Sequence, residues 1–238
     1  MTAGDQPAWE ETAQRALELL RAGDDEAAWT LIDDAARDRN VAVPGPSAGF
    51  REVGRILYWT HGALPEYVRL QQEQMRRYDG KPSYVGRLTG VLYDLATFTW
   101  PGWGHEVREE ERSVGREAAT ACVALREDPE LSAVEFTITP AMAHWVAGAH
   151  ALADGDFDRA RSSFSRARER NVEAGEDDVL DRGYLRLADV LERPGDSQGE
   201  AELQGVLDEL ERCGGDEADF IRSQLETARR VLGDRQTG

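Results

Sequence analysis

The sequence has two cysteines, one lysine and no long hydrophobic run. Cys122 and Cys213 lie far apart in helical patterns, so we expect two reduced thiols rather than a disulfide framework. No segment approaches the roughly 18 consecutive apolar residues that a membrane span needs, and the first residues lack the basic and apolar parts of a signal peptide. These absences predict a cytoplasmic protein without a membrane partner.

Basic residues are outnumbered by acidic residues, 28 to 46, which gives a formal net charge of −18 at pH 7. Such a surface repels the phosphates of nucleic acids, so we expect no nucleic-acid partner. The sequence also lacks a nucleophile-elbow motif, a phosphate-binding Gly-rich loop and a Cys/His pair with an orienting group. His144 and His150 would lie roughly 120° apart on a helix, which is unsuited to sharing one metal ion. We therefore expect no metal, no cofactor and no catalytic residue, while an enzymatic role stays open.

Stretches that alternate between apolar and polar residues are missing too, and the periodicity is helical from end to end. The pattern predicts an all-α protein whose helices are joined by short turns, so that neighbouring helices run antiparallel. The predicted helices cover residues 7–22, 26–39, 48–61, 65–79, 83–99, 105–127, 140–153, 156–173, 177–192, 198–212 and 216–232. We interpret residues 1–238 as one repeat-like helical domain, divided into an N-terminal hairpin (1–40), atypical middle helices (48–128) and C-terminal hairpins (140–233).

The strongest internal pattern is AGAHALADGDFDRARSSFSRARER, residues 147–170. Small residues at a helix crossing, an aromatic knob and a glycine in the turn allow two helices to approach closely. These features fall at Gly148, Gly155, Phe157, Ala160, Phe164 and Ala167. This stretch resembles the tetratricopeptide repeat, a family of stacked helix hairpins.

The N-terminal residues 8–39 resemble the same repeat more weakly, although Asp25 replaces the aromatic residue after the turn. The matching small and apolar positions are Ala16, Gly23, Ala28, Ile32 and Ala35. The resemblance implies antiparallel hairpins stacked as a right-handed superhelix with a concave surface. In this family such a surface usually binds a peptide or a partner protein.

The stretch FTWPGWGHE, residues 98–106, cannot be regular helix, because proline lacks the amide donor and the glycines favour turns. Trp100 precedes the proline, so we expect its backbone to leave helical geometry. Its ring should then fold back on the preceding helix as an anchor. The glycines beside Trp103 predict a sharp turn that brings its indole toward the start of the next helix, at the edge of a ligand pocket. The candidate ligand-binding residues are Tyr93, Asp94, Trp100, Trp103, His105 and Glu106.

Arg159, Arg166 and Arg170 lie within about 40° of one another on the helix that carries Phe164. They could hold a carboxylate, but we favour pairing with the many nearby aspartates and glutamates. Ser162 and Ser163 lie between arginines on this helix, and we interpret them as surface residues.

Three functions fit the sequence. We favour a non-catalytic binding or scaffold protein whose concave surface takes a peptide or protein partner. One alternative is a small-molecule sensor or an enzyme that uses an aromatic pocket around residues 100–106. A further alternative is a structural oligomerisation module, for which a homodimer is possible.

Overall fold

The computed structural model describes residues 6–38, 47–78 and 84–236, and within these ranges it contains eleven α-helices and no β-strand. The all-α prediction is therefore confirmed. The helices are α1 (Gln6–Ala22), α2 (Asp25–Asp38), α3 (Ser47–Trp59), α4 (Leu64–Tyr78), α5 (Val85–Phe98), α6 (Glu109–Glu127), α7 (Pro140–Ala153), α8 (Phe157–Ala174), α9 (Val179–Glu192), α10 (Ser197–Cys213) and α11 (Asp216–Gln236). None of these helices is long and apolar enough to cross a membrane.

Most predicted boundaries agree with the observed helices to within a few residues. The predicted helix ends at residues 39, 79 and 83 lie outside the described ranges. The predicted start at residue 105 is wrong, because α6 begins at Glu109. Arg108 is extended at this helix start, and its backbone N–H donates to the Glu111 carboxylate at 2.8 Å. This pairing satisfies one helix-start donor, the N–H of Arg108, that would otherwise lack a partner.

The chain forms two compact units, Met1–Val91 and Leu92–Gly238. In the first unit, α1 packs against α2 and α3, and α3 packs against α4. Its largest buried side chains include Trp9, Leu20, Ile32, Phe50, Leu57, Tyr67 and Leu70. Of the small and apolar positions singled out in the N-terminal hairpin, Ala16, Ala28 and Ile32 have no exposed surface.

Arg77 links α4 to α2 in the first unit. Its guanidinium pairs with Asp33 on α2 at 2.7 Å and with Glu73 on α4 at 2.6 Å. The same group lies over the Trp29 ring, 5.3 Å from the ring centroid. Because two acids and an aromatic face surround it, this arginine is a structural cation rather than a free one.

In the second unit, each helix from α6 to α11 packs against the next one in sequence, and α9 also packs against α11. The α7–α8 hairpin turns at Gly155, whose φ of 75° lies in the left-handed region that glycine adopts without strain. At the crossing, a Cβ added to Gly148 would lie 2.7 Å from the Phe164 ring. The predicted contact between a small residue and an aromatic knob is therefore present, and it has no room for a methyl group.

Replacing Phe164 by alanine should lower the free energy of unfolding by about 3–5 kcal/mol, because the ring is fully buried and the hairpin cannot close over the cavity. Phe220→Ala is the matched control, since that ring is 58% exposed and should contribute about 1 kcal/mol or less. Urea unfolding of both variants measures the difference. A loss below about 1 kcal/mol for Phe164→Ala would contradict its role as the knob of the hairpin.

Candidate functional site

Trp100 is the centre of residues 98–106, which we call the aromatic loop. The residue is extended, with φ −78° and ψ 122°, as expected before a proline. Its ring has no exposed surface, and its indole N–H donates to the backbone carbonyl of Ala149 on α7 at 2.8 Å. The ring also contacts Trp145 on α7 and Tyr184 on α9, with centroids 5.8 and 5.9 Å away. The prediction that Trp100 is a buried anchor is confirmed, but these contacts are with α7 and α9, and the predicted packing of the ring on the preceding helix α5 stays a prediction.

Trp103 turns back toward α5 rather than forward to the start of α6, which corrects the sequence prediction. Pro101–Trp103 form a 3-10 turn that ends at Gly104, where φ is 86°. The turn directs the Trp103 indole N–H to the carbonyl of Thr97 at 2.8 Å. The half-buried ring then lies between Trp100 and Phe220 of α11, with centroids 5.4 and 6.1 Å away. Its polar and apolar surfaces are thus used within the protein.

His105 and Glu106 separate in the structure. The Nε2 atom of His105 hydrogen-bonds the carbonyl of Phe98 at 3.0 Å, and burial lowers the pKa of this imidazole. A neutral ring that donates from Nε2 fits this contact. Together with Trp103, His105 therefore satisfies carbonyls in the last turn of α5, which have no partner within the helix. Glu106 faces solvent.

Tyr93 and Asp94 lie further back on α5 and are partly buried. Loss of water contact raises the pKa of Tyr93 to about 12, which keeps its hydroxyl protonated at neutral pH. Of the six candidate residues, the loop brings Trp100, Trp103 and His105 together at the end of α5. These three side chains cap and fill that end, and the ligand-binding role predicted for the set stays a prediction.

The aromatic loop covers one face of the helices α7, α9 and α11. Trp100 meets α7 and α9 through the contacts above, and Trp103 meets α11 through Phe220. Gly104 comes close to α11 as well, because a Cβ placed on it would lie 3.5 Å from Thr227 and Val231. This helix face is therefore occupied by the protein's own chain.

A groove of about 540 Å³ lies on the other side of α7, with α7 as its floor and α6 and α8 as its walls. We call it the α6–α8 groove, and its lining includes Thr120, Val123, Ala147, Arg159, Ser162 and Ser163. At about 100° per residue, the floor residues His144 and Ala147 point about 100° and 160° away from Trp145. The groove and the aromatic loop thus use different faces of one helix.

Arg159, Ser162 and Ser163 present unused donors to this groove. Within the described part of the chain, the Arg159 guanidinium has no ion-pair partner, and neither serine hydroxyl has a hydrogen-bond partner. Two other arginines of the predicted cluster are paired, Arg166 with Glu169 at 2.8 Å and Arg170 with Glu127 at 2.7 Å. The favoured prediction of acid pairing therefore holds for those two and is wrong for Arg159.

From the sequence we expect Arg159 to pair with an acid and the two serines to be surface residues, although a signal for a shared donor face is present. Arg159, Ser162, Ser163 and Arg166 follow the spacing i, i+3, i+4, i+7, which places them on one helix face. That polar stripe faces away from the buried Phe164. Which arginine finds an acid depends on contacts between helices, and the sequence does not show these contacts.

A second groove, the α8–α10 groove, has α9 as its floor and a similar volume of about 520 Å³. Ion pairs cross it at several points. Arg182 pairs with Glu209 at 2.7 Å and Arg186 with Glu202 at 2.9 Å, both between α9 and α10. Its arginines are therefore satisfied by the protein, in contrast to Arg159.

The buried titratable groups of this unit include His150 and Asp181. The Nε2 atom of His150 donates to the Ala96 carbonyl at 2.8 Å, and burial lowers the pKa of the ring to about 4. Asp181 accepts a hydrogen bond from Asn171 at 2.7 Å, and burial raises the pKa of its carboxyl group to about 7. Across the described residues, no group of three or more His, Cys, Asp or Glu is arranged to hold a metal ion.

Comparison with known proteins gives no match to a protein-family model, to a curated protein or to a solved structure. The functional argument therefore rests on the geometry described above.

Trp100→Ala should lower the free energy of unfolding by about 3–5 kcal/mol, because it removes a fully buried ring and the hydrogen bond to Ala149. Trp103→Ala should lower it by about 1–2 kcal/mol, because that ring is half-buried and loses one hydrogen bond to Thr97. Thermal and urea unfolding measure both losses. Equal losses would contradict the different burial of the two rings.

The two buried groups should make opposite contributions to the pH dependence of stability. The pKa of His150 is lower in the folded state than its ordinary 6.5, so the unfolded chain binds the extra proton between pH 6.5 and 4. As the pH falls through this window, the free energy of unfolding of wild type should therefore decrease by up to about 3 kcal/mol relative to that of His150→Gln.

Asp181 has a higher pKa in the folded state than its ordinary 3.8, so the folded chain keeps the proton as the pH rises. As the pH rises from 4 to 7, the free energy of unfolding of wild type should decrease by up to about 4 kcal/mol relative to that of Asp181→Asn. Urea unfolding of the three proteins from pH 4 to 7.5 gives both difference curves. Slopes of the same sign would show that one of the two groups is not held in its neutral form.

Proposed function

We propose that this protein is a non-catalytic binding or scaffold protein of tetratricopeptide-like type, and that its α6–α8 groove receives a segment of a partner protein. The observation that carries the proposal is the set of unused donors in that groove, namely the Arg159 guanidinium and the hydroxyls of Ser162 and Ser163. A groove of about 540 Å³ is within the usual range of ligand sites.

The hairpin arrangement supports the repeat-like part of the proposal. The α7–α8 and α9–α10 pairs turn at Gly155 and Gly195, with φ of 75° and 86°. Each pair packs on the next one, as expected for stacked hairpins of a right-handed superhelix. In this proposal, the aromatic loop occupies one face of α7, α9 and α11, so the partner binds on the groove side.

The small-molecule alternative has weaker support. A pocket at the aromatic loop would need free aromatic surface, but Trp100 is fully buried and Trp103 is packed on both sides. The α6–α8 groove, by contrast, offers polar groups that the protein itself does not use.

The proposal predicts that filling the groove abolishes partner binding while the fold persists. Thr120 is exposed on the α6 wall, so Thr120→Trp places an indole in the groove. Gln204→Trp adds the same side chain at an exposed position of α10 outside both grooves and serves as the matched control.

Affinity capture from the source cell with quantitative mass spectrometry compares the three proteins, after circular dichroism has confirmed their helix content. We expect at least one protein to be recovered by wild type and Gln204→Trp and to be reduced about tenfold or more with Thr120→Trp. Equal recovery by the two tryptophan variants would refute the groove as the binding site.

A further inference from the structure

We propose that the α6–α8 groove recognises an oxyanion, a phosphate or carboxylate group carried by the bound segment, through Arg159, Ser162 and Ser163. This inference rests on the proposed function in taking the groove as the binding site. It adds the chemical group that the site selects.

The first support is the direction of the three side chains. Arg159, Ser162 and Ser163 are spaced i, i+3, i+4 on α8, so they project from one face, and all three line the groove. An arginine fork can donate two parallel hydrogen bonds to an oxyanion, and each hydroxyl can donate one more. Together these groups match the several acceptor atoms of a phosphate or a carboxylate.

The second support is that the serine hydroxyls are not used by the helix itself. Thr120 on the opposite wall donates its hydroxyl to the backbone carbonyl of Arg116 at 2.9 Å, and Thr30 does the same to Glu26 at 2.8 Å. The hydroxyls of Ser162 and Ser163 make no such bond among the described residues. Their protons are therefore available to a ligand.

The third support is the local charge. The groove lining carries Arg159 and Arg166 against one acid, Glu169, which is already paired with Arg166. The lining is therefore cationic, whereas the whole chain has a net charge of −18. A cationic ligand would find no unpaired carboxylate in this lining, while an anion finds an unpaired guanidinium.

Ion pairs at the two ends of the groove leave its middle open. Glu127 of α6 pairs with Arg170 of α8, and the Oε1 atom of Glu127 lies 3.0 Å from Nε2 of His144. Near the other end, Asp154 pairs with Arg116 at 3.2 Å. These acids are occupied by arginines of their own, so they do not neutralise Arg159, which stays available between them.

The inference is tested by NMR on the 238-residue chain, with backbone amides and arginine Nε–H groups labelled with ¹⁵N. The probes are inorganic phosphate, O-phosphoserine and glutamate, each titrated at constant ionic strength, with chloride as the reference anion. We expect the shift changes to centre on Arg159, Ser162 and Ser163.

Two arginine variants decide whether the binding is specific. Arg159→Leu should weaken phosphate binding about tenfold or more, because it removes the charged donor. Arg212→Leu, at an exposed position of α10 outside both grooves, should leave binding unchanged. The double variant Ser162→Ala/Ser163→Ala should weaken binding by a smaller factor while keeping the charge.

The three probes distinguish the source of the oxyanion. Tighter binding of phosphate and phosphoserine supports a phosphorylated segment, and equal binding of glutamate supports an acidic one. Shifts spread over many arginines, or a titration that Arg159→Leu does not change, would overturn the inference.

The same variants separate this inference from the proposed function. A partner that is lost with Thr120→Trp but retained with Arg159→Leu would support the groove as a binding site and overturn oxyanion recognition. Oxyanion binding at Arg159 without any partner that depends on the groove would support this inference and overturn the proposed function.

Discussion

The burial of Trp100 is the constraint on which the second unit depends. Its indole joins the end of α5 to a backbone carbonyl of α7 and to the ring of Tyr184 on α9, so one side chain connects three helices. The chain around it is adapted to this ring, since a Cβ on Gly102 would clash with the indole. A fully buried tryptophan is among the largest apolar contributions that one residue can make, and its N–H must find an acceptor when buried. The loop sequence meets both needs.

A feature of this structure could be predicted from the sequence when residues close in the chain determine it, and could not when residues far apart in the chain do. Helical periodicity and the proline after Trp100 act over a few residues, so the helices and the buried anchor are predictable. The direction of Trp103 depends on Thr97 and on Phe220 of α11, which is 117 residues away in the chain. The final helix reaches the loop only in the folded protein, and no short-range pattern contains that information.

The arginines show the same limit in another way. The spacing on α8 correctly places Arg159, Arg166 and Arg170 on one face, but the structure gives them different partners. Arg170 reaches Glu127 on α6, while Arg166 pairs within its own helix and Arg159 pairs with no described residue. A pair between helices depends on their register, which packing in the core fixes. The unpaired guanidinium of Arg159, and with it the candidate site, can therefore be identified once the register of the helices is known.

The two faces of α7 explain why stability and binding should be separable in this protein. The face with Trp145 is packed against Trp100 and Tyr184, so changes there act on the core. The face with Ala147 forms the groove floor, and the groove walls carry exposed side chains such as Thr120 and Arg159. Substitutions at exposed helix positions usually change stability little, whereas buried aromatic residues contribute several kcal/mol. A loss of binding in Thr120→Trp or Arg159→Leu, with unfolding unchanged, can therefore be attributed to the groove itself.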